Sequence, residues 1–267
     1  MISALYEEAL TAGDEAIALA NLRFQELAQL LPPVTPVRVG VELQPRFAER
    51  LPEQAILLKV ARHISVTSFI LRAVESGNIY EQAILQRIAD EAGEDVTFLA
   101  MGLRSGLNKT HRKFLAGFWN EDFVDDGAGP KFTYTPQVPR KDIRQYIGKY
   151  CNDLGVEGRE SAARTLYGVM SGYVHGSAGY TFELFDKRTH RFRLTGAFDR
   201  AQQLPYLLNA VNYPYRAVMS VVHADHAVCK GPANPNLWSA MKRYESWLAD
   251  FNLRAQVVAD RISFPAK

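Results

Sequence analysis

Arg164, Tyr167, Ser171 and His175 are the residues whose types and spacing come nearest to working chemistry. On a helix turning roughly 100° per residue, the four fall within an arc of about 80°. A guanidinium, a phenol, a hydroxyl and an imidazole then share one stripe, with Ser177 just beyond its end. Such a row can bind a ligand or serve catalysis. It can equally be a set of buried polar residues stitching the helix to its neighbours, with His175 capping the C-terminal end. Beside the stripe run Gly168, Gly172 and Gly176, four residues apart. Each glycine costs a helix about 1 kcal/mol relative to alanine. Their spacing therefore points to the close approach of another backbone, from a neighbouring helix or from a second copy of the chain in a homodimer.

Other groupings could also meet a ligand. Lys187, Arg188, His190, Arg191 and Arg193 crowd a predicted turn, with Phe185 and Phe192 interleaved. Arg104, Lys109, His111, Arg112 and Lys113 precede Phe114, Phe118 and Trp119. Cations among aromatics suit phosphate contacts and base stacking; the bland alternatives are a solvated hairpin tip that blunts a sheet edge and a cationic helix end. His223, His226 and Cys229 are zinc-ligand types, but their spacing drifts around a helix and no complementary pair stands elsewhere. No metal and no cofactor is expected. Asp125 and Asp126 sit in a glycine-rich loop, and no P-loop, dinucleotide fingerprint, nucleophile elbow or zinc-protease motif is present.

The elements that would position these residues are mostly helices. Apolar spacing predicts one or two helices over residues 3–31, stopped by Pro32 and Pro33. A connector holding Val37, Val39 and Val41 in alternation follows, with a short edge strand. Helices are expected over 53–76, 79–92 and 94–118, with Gly93 as a break, then over 141–154, 159–176, 205–229 and 236–262. Tyr180, Phe182 and Leu184 alternate with polar residues, as do Phe192 and Leu194, predicting a β-hairpin across 180–195. The expected fold is mainly α: an antiparallel multi-helix bundle with one hairpin insertion. It reads as a single domain over 1–267, divisible into helical halves 1–120 and 140–267 around a turn-rich loop.

Bulk composition sets the limits. The 267 residues are 47% hydrophobic and 22% charged, as in an ordinary globular chain. A net charge of +2 gives no strong field toward nucleic acid, so any polyanion site is local. Two cysteines make no disulfide framework and suit a reducing compartment. The acidic start MISALYEEAL lacks a signal-peptide pattern, and no stretch of about 18 uncharged apolar residues is found. A cytoplasmic protein without a membrane partner is the expectation.

The run Tyr167-x3-Ser171-x3-His175-Gly176-Ser177, behind a long helical N-terminal half, resembles the signature of a bacterial family of uncharacterised helical proteins grouped loosely with the HEPN superfamily. Arg72 and Glu75 resemble an Arg and Glu on that family's upstream helix. The resemblance implies an HEPN-like bundle that binds RNA or a nucleotide near His175. Many HEPN proteins are metal-independent ribonucleases of toxin and defence systems, with an Arg four to six residues before a His. Here positions 169 to 171 are Val, Met and Ser. Arg164 lies roughly 16 Å along the helix axis from His175. A binding module near His175, contacted by Arg164, Tyr167, Ser171 and Ser177 and by phosphate-binding Arg112, Lys113, Arg188, Arg191 and Arg193, is the leading expectation. A ribonuclease and a pure protein-interaction partner are the alternatives.

Overall fold

A computed structural model describes residues 2–39, 42–120, 123–125, 130–132, 137–153, 168–186, 189–194 and 200–263. The chain is a helical bundle with small two-stranded antiparallel hairpins. Helix α1 (Ile2–Gln29) leads to the hairpin β1 (Thr35–Val39) and β2 (Glu42–Arg46). Then come α2 (Pro52–Glu75), α3 (Ile79–Ser105) and α4 (Lys109–Trp119). A second hairpin, β3 (Phe123–Asp125) and β4 (Pro130–Phe132), precedes α5 (Arg140–Asp153). Residues 168–174 are the described part of α6. After the short α7 (Ala178–Thr181) and a 3₁₀ turn (Phe182–Leu184) comes the hairpin β5 (Phe185–Asp186) and β6 (Arg191–Phe192). The C-terminal run is α8 (Arg200–Ala210), α9 (Asn212–Cys229) and α10 (Pro235–Ser263).

Local chemistry sets the helix ends. Pro52 opens α2, where its missing N–H leaves no bond unmade, and the Leu51 N–H donates to Gln54 Oε1 at 2.8 Å. Gly77, at φ 77°, closes the same helix; the Asn78 N–H reaches back to the Ala73 carbonyl at 2.7 Å. Asn108 caps α4 by accepting from the Thr110 N–H at 2.9 Å and the His111 N–H at 3.1 Å.

Several boundaries differ from the periodic reading, each for a packing reason. Gly93 does not break α3, which runs through it to Ser105. A Cβ at Gly93 would come within 3.0 Å of His63 Cε1, so the glycine admits a side chain from α2. The break falls at Gly106, at φ 96°. The expected helix over 205–229 is two helices that meet at Val211, whose carbonyl accepts from the Tyr244 hydroxyl at 2.9 Å. Residues 180–184, with their alternating pattern, coil into α7 and the 3₁₀ turn, and pairing is confined to Phe185 opposite Phe192 and Asp186 opposite Arg191. The connector before α2 forms a hairpin, with Val37 opposite Gln44.

The apolar core draws on both ends of the chain. One cluster joins Leu27, Ile56, Phe98, Ile143, Val221 and Leu237; the other joins Tyr6, Ile70, Val74, Leu207 and Phe251. Each such side chain contributes about 1.5–3 kcal/mol on burial. Helix α2 lies at the centre and packs on α3, α9 and α1. By length and composition alone α2 could cross a membrane, yet 61% of that apolar window is buried inside the bundle.

Candidate functional site

Arg164 and Tyr167 of the predicted stripe lie outside the described residues. Ser171 is half-buried on α6, and His175 is exposed just past its end. The sequence His175-Gly176-Ser177 works there as a helix stop. Gly176 takes φ 60°, its N–H donates to the Tyr173 carbonyl at 3.2 Å, and the Ser177 N–H donates to the Gly172 carbonyl at 3.0 Å. The Ser177 hydroxyl adds a 2.9 Å bond to that same carbonyl. The three glycines have separate surroundings. Among the described residues nothing lies within 4 Å of a Cβ at Gly168, while one at Gly172 would fall 2.1 Å from the Tyr180 ring of the same chain.

Tyr173, off the stripe, is the residue that anchors this end of α6. Its hydroxyl donates to Glu183 Oε2 at 2.6 Å, which also accepts from Tyr206 at 3.0 Å, while Tyr80 donates to the Tyr173 carbonyl at 2.8 Å. Burial, then Glu183, pushes the Tyr173 and Tyr206 phenols well above the usual range. With anchoring done by Tyr173, His175→Ala is expected to change stability by no more than about 0.5 kcal/mol, the usual range for a surface substitution. Thermal melts of the two proteins check this; a loss above about 1 kcal/mol, the size of a lost buried hydrogen bond, would mean that the imidazole holds structure.

The basic clusters divide in the same way. Arg188 lies outside the described residues, and Arg191 is exposed on β6. Arg193 instead turns inward, its Nε 3.0 Å from Oδ2 of buried Asp186, which Thr189 also bonds at 2.9 Å. Arg112 and Lys113 are exposed near the start of α4, whereas His111 of that cluster is fully buried, stacked on Phe98 at 4.1 Å. The zinc-ligand types on α9 point to different partners. His226 Nδ1 bonds the Gly231 carbonyl at 2.7 Å, and Cys229 Sγ donates to Asp225 Oδ1 at 3.5 Å. Among the described residues no three His, Cys, Asp or Glu side chains are grouped to hold a metal.

A cavity of about 680 Å³ opens elsewhere, between α3, α5, α9 and α10, with α2 beneath and Met170 of α6 on its wall. Helix α3 supplies Arg87, Asp90, Gly93, Glu94 and Thr97; α9 supplies Asn212, Tyr215, Arg216, Met219, Ser220 and His223. Helix α5 adds Arg144, Ile147 and Gly148, and α10 adds Glu245 and Leu248. His63 of α2, 1% exposed, is the deepest polar group. Its Nδ1 lies 2.8 Å from Ser220 Oγ, and its Nε2 is buried with no hydrogen-bond partner among the described residues. A hydroxyl beside an imidazole is half of an activated nucleophile, but among the described residues no carboxylate holds the second ring nitrogen, as such a site requires.

Ion pairs line the walls. Arg216 engages Asp90, which also accepts from Tyr213 at 3.3 Å. Arg144 holds Glu94 Oε1 at 2.7 Å, and Arg87 holds Glu91 at 3.2 Å. Glu94 Oε2 is buried and has no partner among the described residues. Burial raises the Asp90 carboxyl to about 6 against the pull of Arg216, and raises that of Glu94 against Arg144. Burial, and then Arg216, lowers the His63 imidazole to about 3, so it is neutral near pH 7.

The stripe reading missed this site because its residues come from six helices. The available signals were His63 inside the apolar run of α2 and polar side chains recurring at four-residue spacing, Asp90 with Glu94 and Asn212 with Arg216 and Ser220. Comparison with known protein families, with curated proteins and with solved structures gives no match for the chain.

Proposed function

We propose that the protein is an HEPN-like helical binding module that takes a nucleotide or the end of an RNA strand into the cavity between α3, α5, α9 and α10, with Met170 of α6 on its wall. The observation that carries the reading is the cavity itself, about 680 Å³ and lined by both ionic and apolar side chains. Sites for small ligands run from roughly 300 to 1,000 Å³ and pair apolar walls with a few placed polar groups. Met170 supports the connection to the stripe, since it lines the cavity one residue before Ser171. A ligand seated there lies against the helix that ends at His175.

The test is calorimetric and thermal-shift titration of the full chain with nucleotides, nucleosides and short RNA. Binding is expected, and a ligand at 100 times its Kd should raise stability by about 2.7 kcal/mol. Met170→Trp, which fills the cavity from α6, should abolish the effect. If none of these ligands binds, the nucleotide reading falls and a protein-interaction role takes its place. RNA cleavage in chelator, lost in His175→Ala, would favour the ribonuclease instead.

A further inference from the structure

We infer that the ligand enters this cavity with the amino group of an amino-substituted heteroaromatic ring leading, and that Glu94 reads that group while His63 reads the adjacent ring nitrogen. The inference rests on the binding reading above and supplies the chemistry of the buried end. Among the described residues, Glu94 Oε2 and His63 Nε2 on the cavity lining are buried without a hydrogen-bond partner. A buried carboxylate oxygen accepts only, so what it lacks is a donor. Arg144 is already spent on the other oxygen of Glu94. The missing donor must come from outside the chain.

The charges select the class of donor. The cavity arginines face carboxylates: Arg216 is held by Asp90, Arg144 by Glu94 and Arg87 by Glu91. A phosphate pushed inward would meet Asp90 and Glu94 with its counter-charges engaged, so the phosphate end of a nucleotide stays outside. Between the ion pairs the walls are apolar, formed by Ile147, Met170, Tyr215, Met219 and Leu248. They fit a flat ring better than an alkylammonium, whose point charge would be left against them. An amino group beside a ring nitrogen gives Glu94 its N–H. It also gives His63 Nε2 a complement, because Ser220 occupies only Nδ1: when Nδ1 accepts from the Ser220 hydroxyl, Nε2 carries the proton and donates it to the ring nitrogen. Gly93 keeps this corner clear of a side chain immediately before Glu94.

The experiment compares matched probes on the full chain by calorimetry: adenosine with inosine, cytidine with uridine, and 2-aminopyridine with pyridine. Each amino member is expected to bind about tenfold or more tighter than its counterpart, the size of one hydrogen bond to a charged group. In Glu94→Gln, Arg144 keeps the amide oxygen and the amide N–H2 falls where Oε2 was. The adenosine and cytidine preference should then vanish or reverse toward inosine and uridine. Ligand-free circular dichroism melts establish that the variant is folded; if it is not, the wild-type pairs decide alone. Equal affinities within the nucleoside pairs, or an unchanged preference in folded Glu94→Gln, overturn the inference while leaving nucleotide binding intact. Binding of 2-aminopyridine alone, lost in Glu94→Gln, upholds the amine recognition and removes the nucleotide reading. If no probe of either series binds, both fall.

Discussion

Asp95→Ala is expected to lower the unfolding free energy by about 3 kcal/mol, near the lower end of the range for deleting one member of a buried ion pair. The Asp95 side chain, on α3, is 1% exposed. Lys59 of α2 brings its ammonium to 2.8 Å from Oδ2, and Arg140 of α5 engages both carboxylate oxygens, with Nη2 at 3.2 Å. One carboxylate thus clamps three helices. The two cations keep 23% and 27% of their exposure, so once abandoned they partly rehydrate, which holds the loss to the lower end. The effect reaches the cavity because α5 also presents Arg144, Ile147 and Gly148 to it. Lys59→Met should cost less, since Arg140 still serves the carboxylate. Urea denaturation followed at 222 nm measures both. A loss under about 1 kcal/mol for Asp95→Ala, the value of an exposed pair, would show that the clamp is dispensable.

How far the sequence reaches depends on whether a feature is local. Helices α1, α2, α5 and α10 follow from apolar spacing and from stops such as Pro32 and Gly77, because those signals act within one turn. Gly93 misleads because its role is set by His63, thirty residues earlier in the chain and 3.0 Å from where its Cβ would be. Residues 180–184 mislead because period-two alternation over five positions is also compatible with one helical turn and a 3₁₀ turn. There Tyr180 fills the space over Gly172, and Glu183 is drawn in by Tyr173 and Tyr206.

The site divides along the same line. A stripe on one helix is legible from periodicity alone, and Ser171 and His175 do follow one another along α6 and its stop. What periodicity does not carry is the role of Gly176 and Ser177, which end the helix. The cavity needs the register of α2 against α3 and α9, which a single chain does not encode at short range. Even so, a histidine among the apolar residues of α2 announces a polar partner, since a buried imidazole without one is destabilising. Ser220 is that partner, 157 residues away.

The response to acid follows from the same cavity and should separate two variants in opposite directions. Burial, then Arg216, lowers the His63 imidazole from 6.5 to about 3. As pH falls below 6.5, the unfolded chain takes up a proton that the folded chain refuses. Stability is therefore lost at up to about 1.4 kcal/mol per pH unit until the folded value is reached. Asp90 works the other way. Burial raises its carboxyl from 3.8 to about 6, so between those values the folded chain holds a proton that the unfolded one lacks, and stability rises as pH falls. Glu94, also raised by burial, adds to the second trend. Glu8, lowered by its bond to Arg254, contributes stability that is lost in acid, but it is common to all variants. His63→Gln keeps a hydrogen-bonding group for Ser220 and removes the imidazole. Between pH 6.5 and pH 4 it should gain about 3 kcal/mol relative to wild type. Asp90→Asn should lose about 2 kcal/mol relative to wild type over the same interval. Urea denaturation of the three proteins at both pH values supplies the comparison, and each variant's offset at pH 6.5 cancels. Three parallel pH profiles would mean that water reaches His63 and Asp90 freely, and the buried polar lining on which amine recognition depends would be lost with them.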